Sequence, residues 1–248
     1  MEVYEPDRSL KGKIRRRAVR LLHRRPARRA PPGPMVSFSF DDAPLTAATT
    51  GARILKDRGL AGVYYLSAGL EGQDSAMGPI LHQADAAALA ADGHEIGCHT
   101  WSHLDCGQAD GAAAVAEADR NAAALAAWGA KPTTFAYPYG DVSAAAKAAL
   151  ASRYELLRAL HHGVIEAGSD LNQAPAVGIE GPDGEAIALR WLEAAVRRNA
   201  WLILYTHDVA DSPSAWGCTP QTLERLADAA IRLGCRTVTV AEGARLVA

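Results

Sequence analysis

Adjacent carboxylates and a closely spaced pair of histidines are the first residues in this sequence with an evident chemical use. Asp41 and Asp42 end the apolar run Met35–Phe40. Because neighbouring residues on a strand point to opposite sides, one carboxylate can bind a cation while the other receives a proton. His99 and His103 are four residues apart, so both imidazoles can reach one metal ion. Asp42, His99 and His103 therefore predict a three-ligand metal site with open positions for water and substrate, although the Asp pair alone is equally typical of a helix N-cap.

Two later motifs add candidate catalytic groups. The segment F-A-Y-P-Y-G at 135–140 predicts a tight loop, which either presents backbone N–H groups to a developing oxyanion or is only a structural turn. The segment W-L-I-L-Y-T-H-D at 201–208 is an apolar run that ends near His207. A histidine in this position can act as a general acid near neutral pH, and a surface histidine is the alternative.

Short apolar runs alternate with alanine-rich helical patterns from residue 35 onwards. This alternation predicts an α/β fold with a parallel sheet, open or closed into a barrel, in which the working groups lie at the C-terminal ends of the strands. The predicted strands are Met35–Phe40, Gly62–Ser67, His94–Cys98, Thr133–Tyr137, Glu155–Leu157, Ala176–Ile179, Trp201–Tyr205 and Thr237–Val240. The predicted helices are Ala47–Arg58, Ala84–Ala91, Ala112–Trp128, Ser143–Ala151, Glu185–Asn199 and Thr219–Leu233. Several of them end at a glycine, as helix C-termini prefer: Gly59, Gly93, Gly129 and Gly234.

Charge is distributed unevenly along the chain. Residues 1–30 contain 11 of the 26 Lys and Arg residues but only 3 of the 28 acidic residues, so the remainder is acidic although the net charge is −2. Nucleic-acid binding is not expected, because the basic residues are confined to one segment. We divide the chain into a basic N-terminal segment with a Pro-rich lead-in, residues 1–34, and one catalytic domain, residues 35–248.

The sequence also indicates a cellular compartment. None of the four cysteines belongs to a C-x-x-C pair, which is typical of a reducing environment. The basic N-terminus lacks the apolar stretch and cleavage site of a secretory signal, and no run of about 18 apolar residues could span a membrane. We therefore expect a cytoplasmic protein.

The ordered set F-D-D, H-T-x-x-H, F-A-Y-P-Y-G and a late apolar strand ending in His resembles the polysaccharide deacetylase family, also called NodB-type carbohydrate esterases. The match covers about residues 35–210. It implies a distorted (β/α) barrel with about seven parallel strands, and removal of N- or O-acetyl groups from glycans with a divalent metal. The basic lead-in, G-C-H-T-W-S-H-L-D-C and F-A-Y-P-Y-G-D are similar to deacetylases of holdfast polysaccharide, the adhesin of stalked bacteria. That similarity implies an N-acetylated amino sugar of an exopolysaccharide as the substrate.

Carried over position by position, the resemblance implies a role for each motif residue. Asp41 matches the catalytic base, Tyr139 matches the residue whose backbone N–H helps to bind the oxyanion, and His207 matches the general acid that protonates the leaving amine. The matching metal ligands are Asp42, His99 and His103. Two histidines and one carboxylate favour Zn²⁺, and Co²⁺, Mn²⁺ or Ni²⁺ also fit this donor set.

The sequence departs from the family pattern in its supporting residues. The family often has Arg directly after the Phe of the third motif, where it tethers the catalytic Asp, but Ala136 stands here. Arg158 either supplies this guanidinium from the next strand or forms a surface salt bridge. The Asp–Trp motif that supports the catalytic His is not evident, so the candidates for orienting His207 are Asp170 and Asp208.

Four aromatic or proline residues near the motifs are candidate substrate contacts, namely Trp101, Tyr137, Pro138 and Tyr205. Tyr205 stands where the family usually has a leucine lining the acetyl pocket, so we expect a pocket of different shape. Two other functions stay open. One is an amidohydrolase acting on a small cyclic amide or ureide, as allantoinases do, which a closed small pocket would favour. The other is a glycan-binding pseudoenzyme, which the lost Arg and Asp favour and the retained motif residues oppose.

The basic N-terminal segment has a helical pattern of its own. Ile14, Ala18, Leu21 and Leu22 fall at i, i+4, i+7 and i+8, which predicts a helix with one apolar face. Such a helix can lie on an anionic membrane surface, and this would suit a lipid-linked glycan at the inner face of the membrane. The alternatives are a solvated helix packed on the acidic domain or on a second subunit of a homo-oligomer.

Overall fold

The computed structural model describes residues 9–248, and its centre is an eight-stranded sheet in which every pair of neighbouring strands is parallel. The strands of the described residues are β1 (Met35–Asp41), β2 (Gly62–Leu66), β3 (Asp74–Ser75), β4 (Gly78–Pro79), β5 (Glu95–Cys98), β6 (Thr134–Ala136), β7 (Leu156–Arg158), β8 (Val177–Gly178), β9 (Trp201–Thr206) and β10 (Arg236–Thr237). Their order in the sheet is β7-β6-β5-β2-β1-β9-β8, with β10 also paired to β1. β3 and β4 form a separate antiparallel hairpin.

Helices connect the parallel strands, as a parallel sheet requires. They are α1 (Leu10–Val19), α2 (Ala52–Lys56), α3 (Gln83–Ala91), α4 (Gly111–Ala127), α5 (Ala144–Leu150), α6 (Gly184–Arg198), α7 (Pro220–Arg232) and α8 (Val240–Val247). A π-helical turn at Ala47–Gly51 leads into α2, and short 3-10 turns lie at Ala68–Leu70 and Pro138–Gly140. Within the described chain, no helix has both the length and the apolar character needed to cross a membrane.

A short segment joins the two edges of the sheet. Ala174 pairs in parallel with Arg158 at the end of β7, and Val177 and Gly178 pair with β9. Backbone hydrogen bonds from Ala159 to the Ala174 carbonyl (2.9 Å) and from Ala174 to the Leu157 carbonyl (2.8 Å) complete this seam. The strands therefore curve into a distorted (β/α) barrel, which confirms the predicted fold class.

The alternation of β1 decides which residues face the barrel interior. Val36, Phe38 and Phe40 belong to the core beneath the surrounding helices, whereas Met35 packs with interior residues. Side chains alternate along a strand, so Ser37, Ser39 and Asp41 also face inward. Hydrogen bonds satisfy the buried serines: Ser37 Oγ donates to the Val238 carbonyl at 2.7 Å and Ser39 Oγ to the Leu204 carbonyl at 2.8 Å. The same alternation delivers Asp41 to the inside of the barrel at its C-terminal end.

Most predicted helices and strands are present, and the largest error of the prediction lies near the C-terminus. The glycines Gly59, Gly93, Gly129 and Gly234 follow helices with positive φ, as predicted. The predicted strand Thr237–Val240 was too long, because Val240 begins α8. Thr239 Oγ1 caps that helix by accepting the Glu242 N–H at 3.3 Å. The T-V-A-E spacing is the sequence signal for this start, since a Thr three residues before a Glu is typical of a helix N-terminus.

Candidate active site and metal centre

Asp41 is a buried carboxylate held by a buried guanidinium. Arg158 Nη2 donates to Asp41 Oδ1 at 2.5 Å and to Oδ2 at 2.6 Å, and both residues are almost inaccessible to solvent. Burial alone would raise the pKa of Asp41, but Arg158, with help from His99 and His207, outweighs it and lowers the pKa below its usual value. Asp41 is therefore held ionised, in the state in which it can accept a proton.

The guanidinium of Arg158 lies between two aromatic rings. Its Cζ is 5.1 Å from the ring centroid of Tyr65 and 5.3 Å from that of Tyr205. These cation–π contacts offset part of the cost of burying the charge. Of the two interpretations left open by the sequence, the surface salt bridge is wrong for Arg158, and the tether to Asp41 is the arrangement found.

The three predicted metal ligands lie close together around Asp42, the residue after Asp41. His99 Nε2 and His103 Nε2 lie 3.6 Å and 3.2 Å from Asp42 Oδ1, and all three side chains are buried. One ligand atom from each residue lies within 4.8 Å of the others. A single ion can therefore contact all three.

The electrostatic state of the two histidines suits metal binding. Burial lowers the pKa of His99 to about 4, with a contribution from His103, and burial together with His207 lowers the pKa of His103 to about 4. Both rings are thus neutral, the form that ligates metals. His99 Nδ1 donates to the Ala136 carbonyl at 2.8 Å, which leaves its Nε2 lone pair directed at Asp42. Ala136 stands where the family often has Arg, and here it orients His99 through its backbone carbonyl.

The surroundings of the Asp42 carboxylate indicate that a divalent cation fits these residues. Its Oδ1 is buried without a hydrogen-bond partner among the described residues. The pKa of Asp42 lies above its usual value, mainly because the carboxylate is buried. A positive ion at this point would supply the missing partner and favour the charged carboxylate. The residues that would hold it are Asp42, His99 and His103.

Backbone strain is concentrated around this centre. Among the described residues other than glycine, seven have positive φ, and five of them lie in the loops that carry the motifs: Asp42, Ala43, Thr100, His103 and Tyr139. This conformation is unfavourable for side chains with a Cβ and is found mostly where a site requires it. The conformation of these loops is therefore determined by the site, although it is unfavourable for the individual residues.

The F-A-Y-P-Y-G loop brings Tyr139 to one of the predicted metal ligands, His103. Tyr139 has φ 59° and its ring packs edge-on against His103, with centroids 4.4 Å apart. Gly140 follows with φ 68°, and a Cβ there would lie 2.4 Å from Leu160. The glycine is thus required twice, by its conformation and by the close approach of Leu160. The predicted role of the Tyr139 N–H in binding an oxyanion stays a prediction.

His207 reaches the same rim from the end of β9. Its Nδ1 donates to the Trp216 carbonyl at 3.1 Å, and Glu180 Oε2 lies 3.7 Å away. His207 is close enough to contribute to the electrostatics of both Asp41 and Asp42, so the ring belongs to this centre. With Nδ1 occupied in this way, Nε2 is the nitrogen available to a substrate.

Neither aspartate predicted to orient His207 does so. Asp170 pairs with Lys147 at 2.7 Å, and Asp208 accepts the N–H and the hydroxyl of Ser214. Asp208 thereby folds the loop 208–217 and acts on His207 only through Trp216. The prediction was wrong because both aspartates find partners closer in the fold.

Glu180 is the residue that sequence analysis missed. It follows β8 beside the end of β9, accepts a hydrogen bond from Tyr205 Oη at 3.1 Å, and has its second oxygen buried without a hydrogen-bond partner. Nothing in the local sequence I-E-G-P-D distinguishes it from a surface glutamate. Its only signal was its place after the predicted strand Ala176–Ile179, where a parallel fold puts working groups.

The four predicted substrate contacts have different surroundings. Tyr137 and Pro138 are buried, and Tyr137 Oη donates to the Asn172 carbonyl at 2.9 Å, so neither lies at an open surface. Trp101 is half-buried, with the guanidinium of Arg120 4.0 Å above its ring. Tyr205 lies between Arg158 and Glu180 and so links the groups beside Asp41 and His207.

The loop 208–217 carries an exposed tryptophan and borders a cavity. Trp216, whose carbonyl binds the His207 ring, is one of the large apolar side chains that stay exposed. A cavity of about 460 Å³ lies beside the same loop, and its lining residues include Ile179, Pro182, Ser214, Gly217, Thr219 and Thr222. The volume lies in the range of roughly 300–1,000 Å³ that accommodates small ligands.

Comparison with known proteins gives a family and several similar folds. The model of the family described as polysaccharide deacetylase matches residues 28–156. A search of curated proteins found no match. Among solved structures, a chitin deacetylase from the fungal pathogen Colletotrichum lindemuthianum superposes with a TM-score of 0.65 at 19% identity, covering 88% of this chain and 91% of its own.

Two further structures share the fold. A family 4 carbohydrate esterase from Streptomyces lividans, in complex with acetate, has a TM-score of 0.55 and 20% identity, and the match covers 84% of this chain and 93% of that one. A CE4 family pseudoenzyme from Bacillus anthracis has a TM-score of 0.58 and 14% identity, with coverage of 86% and 66%. At these identities the likeness concerns the fold.

Proposed function

This chain belongs to the polysaccharide deacetylase family, and from that premise we propose that it removes N-acetyl groups from amino sugars of a glycan in a metal-dependent hydrolysis. The observation that carries the proposal is the juxtaposition of an ionised, guanidinium-held Asp41 with three residues suited to one cation. A carboxylate base beside a Lewis acid is the arrangement that hydrolysis of an amide needs.

Each residue has a distinct task in this reaction. A divalent metal held by Asp42, His99 and His103, which we propose to be zinc, would supply Lewis-acid polarisation of the acetyl carbonyl and of the attacking water. Asp41 takes the proton of that water, because Arg158 keeps its carboxylate ionised. The backbone N–H of Tyr139 donates to the oxyanion, and His207 gives a proton from Nε2 to the departing amine. Acetate and a free amino sugar are the products.

The surroundings of the centre support a glycan over a small cyclic amide. The backbone carbonyl of Trp216 holds the His207 ring while the Trp216 side chain is exposed, and an exposed aromatic surface in this loop suits the apolar face of a sugar ring. The neighbouring cavity adds space outside the centre for a further sugar unit. We propose an N-acetylated exopolysaccharide of the holdfast type as the substrate, in a lipid-linked form. Four free cysteines, all buried, support a cytoplasmic location.

A pseudoenzyme is the second candidate, because Ala136 replaces the usual Arg and because one structural neighbour is itself described as a pseudoenzyme. The contact between Arg158 and Asp41 removes most of the ground for it, since the missing guanidinium is restored from β7.

Acetate release from N-acetylglucosamine oligomers, with metal added and with a chelator, tests the proposal. We expect release only with metal. Asp41→Asn should lower the rate by roughly 10²–10⁴-fold while still binding metal, and His99→Ala should lose the metal. Asp57→Asn, at an exposed aspartate directly after α2, is the matched control and should behave as the wild type. Wild-type activity in Asp41→Asn would refute the assignment of the base, and glycan binding without release at any metal would establish the pseudoenzyme.

A further inference from the structure

An apolar strip lies exposed along the N-terminal helix α1 and the turn that follows it. We use this name for Leu10, Ile14, Leu21 and Leu22, whose exposed fractions are 74%, 58%, 76% and 45%. Only two other large apolar side chains of the described residues are exposed, Trp216 and Ile231. Leu10, Ile14 and Leu21 follow one side of α1 and of the turn that continues it. Apolar surface concentrated on one helix in this way marks an interaction surface.

The opposite side of α1 holds the helix on the domain. Val19 lies nine residues after Leu10, half a turn around the helix, and is buried. Lys147 Nζ donates to the Val19 carbonyl at 2.9 Å, and Arg15 pairs with Asp141 at 2.9 Å while donating to the Gly107 carbonyl. The helix is therefore docked through its other face, and among residues 9–248 the apolar strip is left exposed.

Unpaired cations accompany the apolar strip. Lys13, Arg17 and Arg20 are exposed, and none of them forms an ion pair with any described residue. The pKa of Arg20 lies below its usual value because of partial burial and because Arg17 repels it. No acidic residue occurs between Asp7 and Asp41. This concentration of uncompensated positive charge favours an anionic partner.

The docking contacts also locate the apolar strip relative to the catalytic centre. Arg15 binds Gly107, four residues after His103, and Asp141, two residues after Tyr139. Both loops leave the C-terminal ends of parallel strands, where the centre lies. Arg15 therefore places the N-terminal half of the apolar strip, Leu10 and Ile14, near the end of the barrel that carries the catalytic residues.

From these observations we propose that α1 binds an anionic lipid bilayer, with the apolar strip inserted below the headgroups and the flanking cations on the anionic lipids. A bilayer is the partner that takes a row of apolar side chains and a row of cations in parallel. Binding in this orientation presents the catalytic end of the barrel to a glycan held at that surface. The lipid contact itself does not depend on the proposed deacetylation.

Vesicle co-sedimentation of the full chain tests the lipid contact. We expect binding to vesicles of phosphatidylcholine mixed with phosphatidylglycerol, weaker binding to phosphatidylcholine alone, and release at high salt because the charges are exposed. Leu21→Gln should lower the partition coefficient about tenfold, since one inserted leucine no longer contributes. The matched control is Ile231→Gln, an equally apolar exposed residue of α7 outside the strip, which should bind as the wild type.

A second pair of variants separates specific charges from net charge. Lys13→Gln/Arg17→Gln should weaken binding to the anionic vesicles, whereas Arg190→Gln/Arg232→Gln removes the same charge from exposed positions elsewhere and should not. Acetate release from soluble oligomers should stay unchanged in all these variants, so loss of the lipid contact is distinguished from loss of the proposed activity. Equal sedimentation of wild type and Leu21→Gln would overturn the proposal. So would a wild-type dimer that Leu21→Gln dissociates, because the strip would then be a contact between two copies of the chain.

Discussion

Asp41 and Arg158 are both buried, and each would be strongly unfavourable without the other. The pair also determines the chemistry, because the guanidinium lowers the pKa of the carboxylate at a depth where burial alone would raise it. The stability of the fold and the ionised state of the Asp41 carboxylate therefore depend on the same contact. A change at Arg158 should therefore appear in both quantities.

Arg158→Gln should lower the free energy of unfolding by about 3–5 kcal/mol, because it leaves a buried carboxylate without its cation. Acetate release should fall as well, by up to roughly 10²–10⁴-fold, the usual contribution of a general base. Arg158→Lys keeps a charge without the planar donors and should retain more of both. Urea unfolding and initial rates measure the two effects, with the exposed Arg197→Gln as control. Full activity in Arg158→Gln would mean that Asp41 needs no tether.

Glu180 should matter to His207 in a way that a merely structural residue would not. Glu180→Gln removes the negative charge beside the imidazole, so we expect kcat to fall about 10- to 100-fold with KM and metal affinity unchanged. Glu180→Asp should restore part of the rate. Glu185→Gln, which breaks an exposed pair with Arg225, is the control and should leave kcat as it is. A change in KM alone would assign Glu180 to substrate binding.

The loop after β6 is the element whose shape is most constrained by the centre. Gly140 has positive φ, and a Cβ at this position would collide with Leu160. Gly129 after α4 also has positive φ, but a Cβ there would meet no atom within 4 Å. The two glycines thus separate conformational strain from crowding. At Gly140 both features act on Tyr139, whose ring contacts His103.

Gly140→Ala should therefore be more harmful than Gly129→Ala. Both substitutions incur a conformational cost of about 1 kcal/mol, and Gly140→Ala adds a clash that displaces Leu160 or the loop. We expect a clear loss of acetate release only for Gly140→Ala, measured beside thermal unfolding of both variants. Equal rates in the two variants would show that the position of Tyr139 is not critical.

The elements themselves were largely predictable, because glycines end the helices and apolar runs mark the strands. The grouping of Asp42, His99 and His103 was predictable too, since their spacing and their positions after strands are local properties of the sequence. Glu180 and the burial of Arg158 were not. Both depend on which strands become neighbours when the barrel closes, and no short sequence window contains that pairing.

For the whole molecule, the metal should act as a folding ligand. Its proposed ligands come from β1 and from the loop after β5, so an ion binds the native arrangement and not the unfolded chain. Metal at 100 times its Kd should stabilise the fold by about 2.7 kcal/mol, which corresponds to a rise in Tm of roughly 5–10 °C. Calorimetry with and without zinc measures this shift.

His103→Ala should abolish that rise in Tm, and His82→Ala, at an exposed histidine outside the centre, should preserve it. The comparison also reports on the metal without reference to activity. A rise that persists in His103→Ala would place the ion elsewhere.

The surroundings of Asp41 and of His207 both depend on the seam of the barrel. Arg158 ends β7 and Glu180 follows β8, so the groups beside Asp41 and His207 both come from the strands that the segment 174–178 joins. Backbone hydrogen bonds donated by Ala159, Ala174 and Ile179 hold this junction together with the pairing of β8 and β9. A local opening there would release the proposed base Asp41 and the proposed acid His207 together. Amide hydrogen exchange at these three residues would thus report the fraction of molecules that are competent to react at any instant.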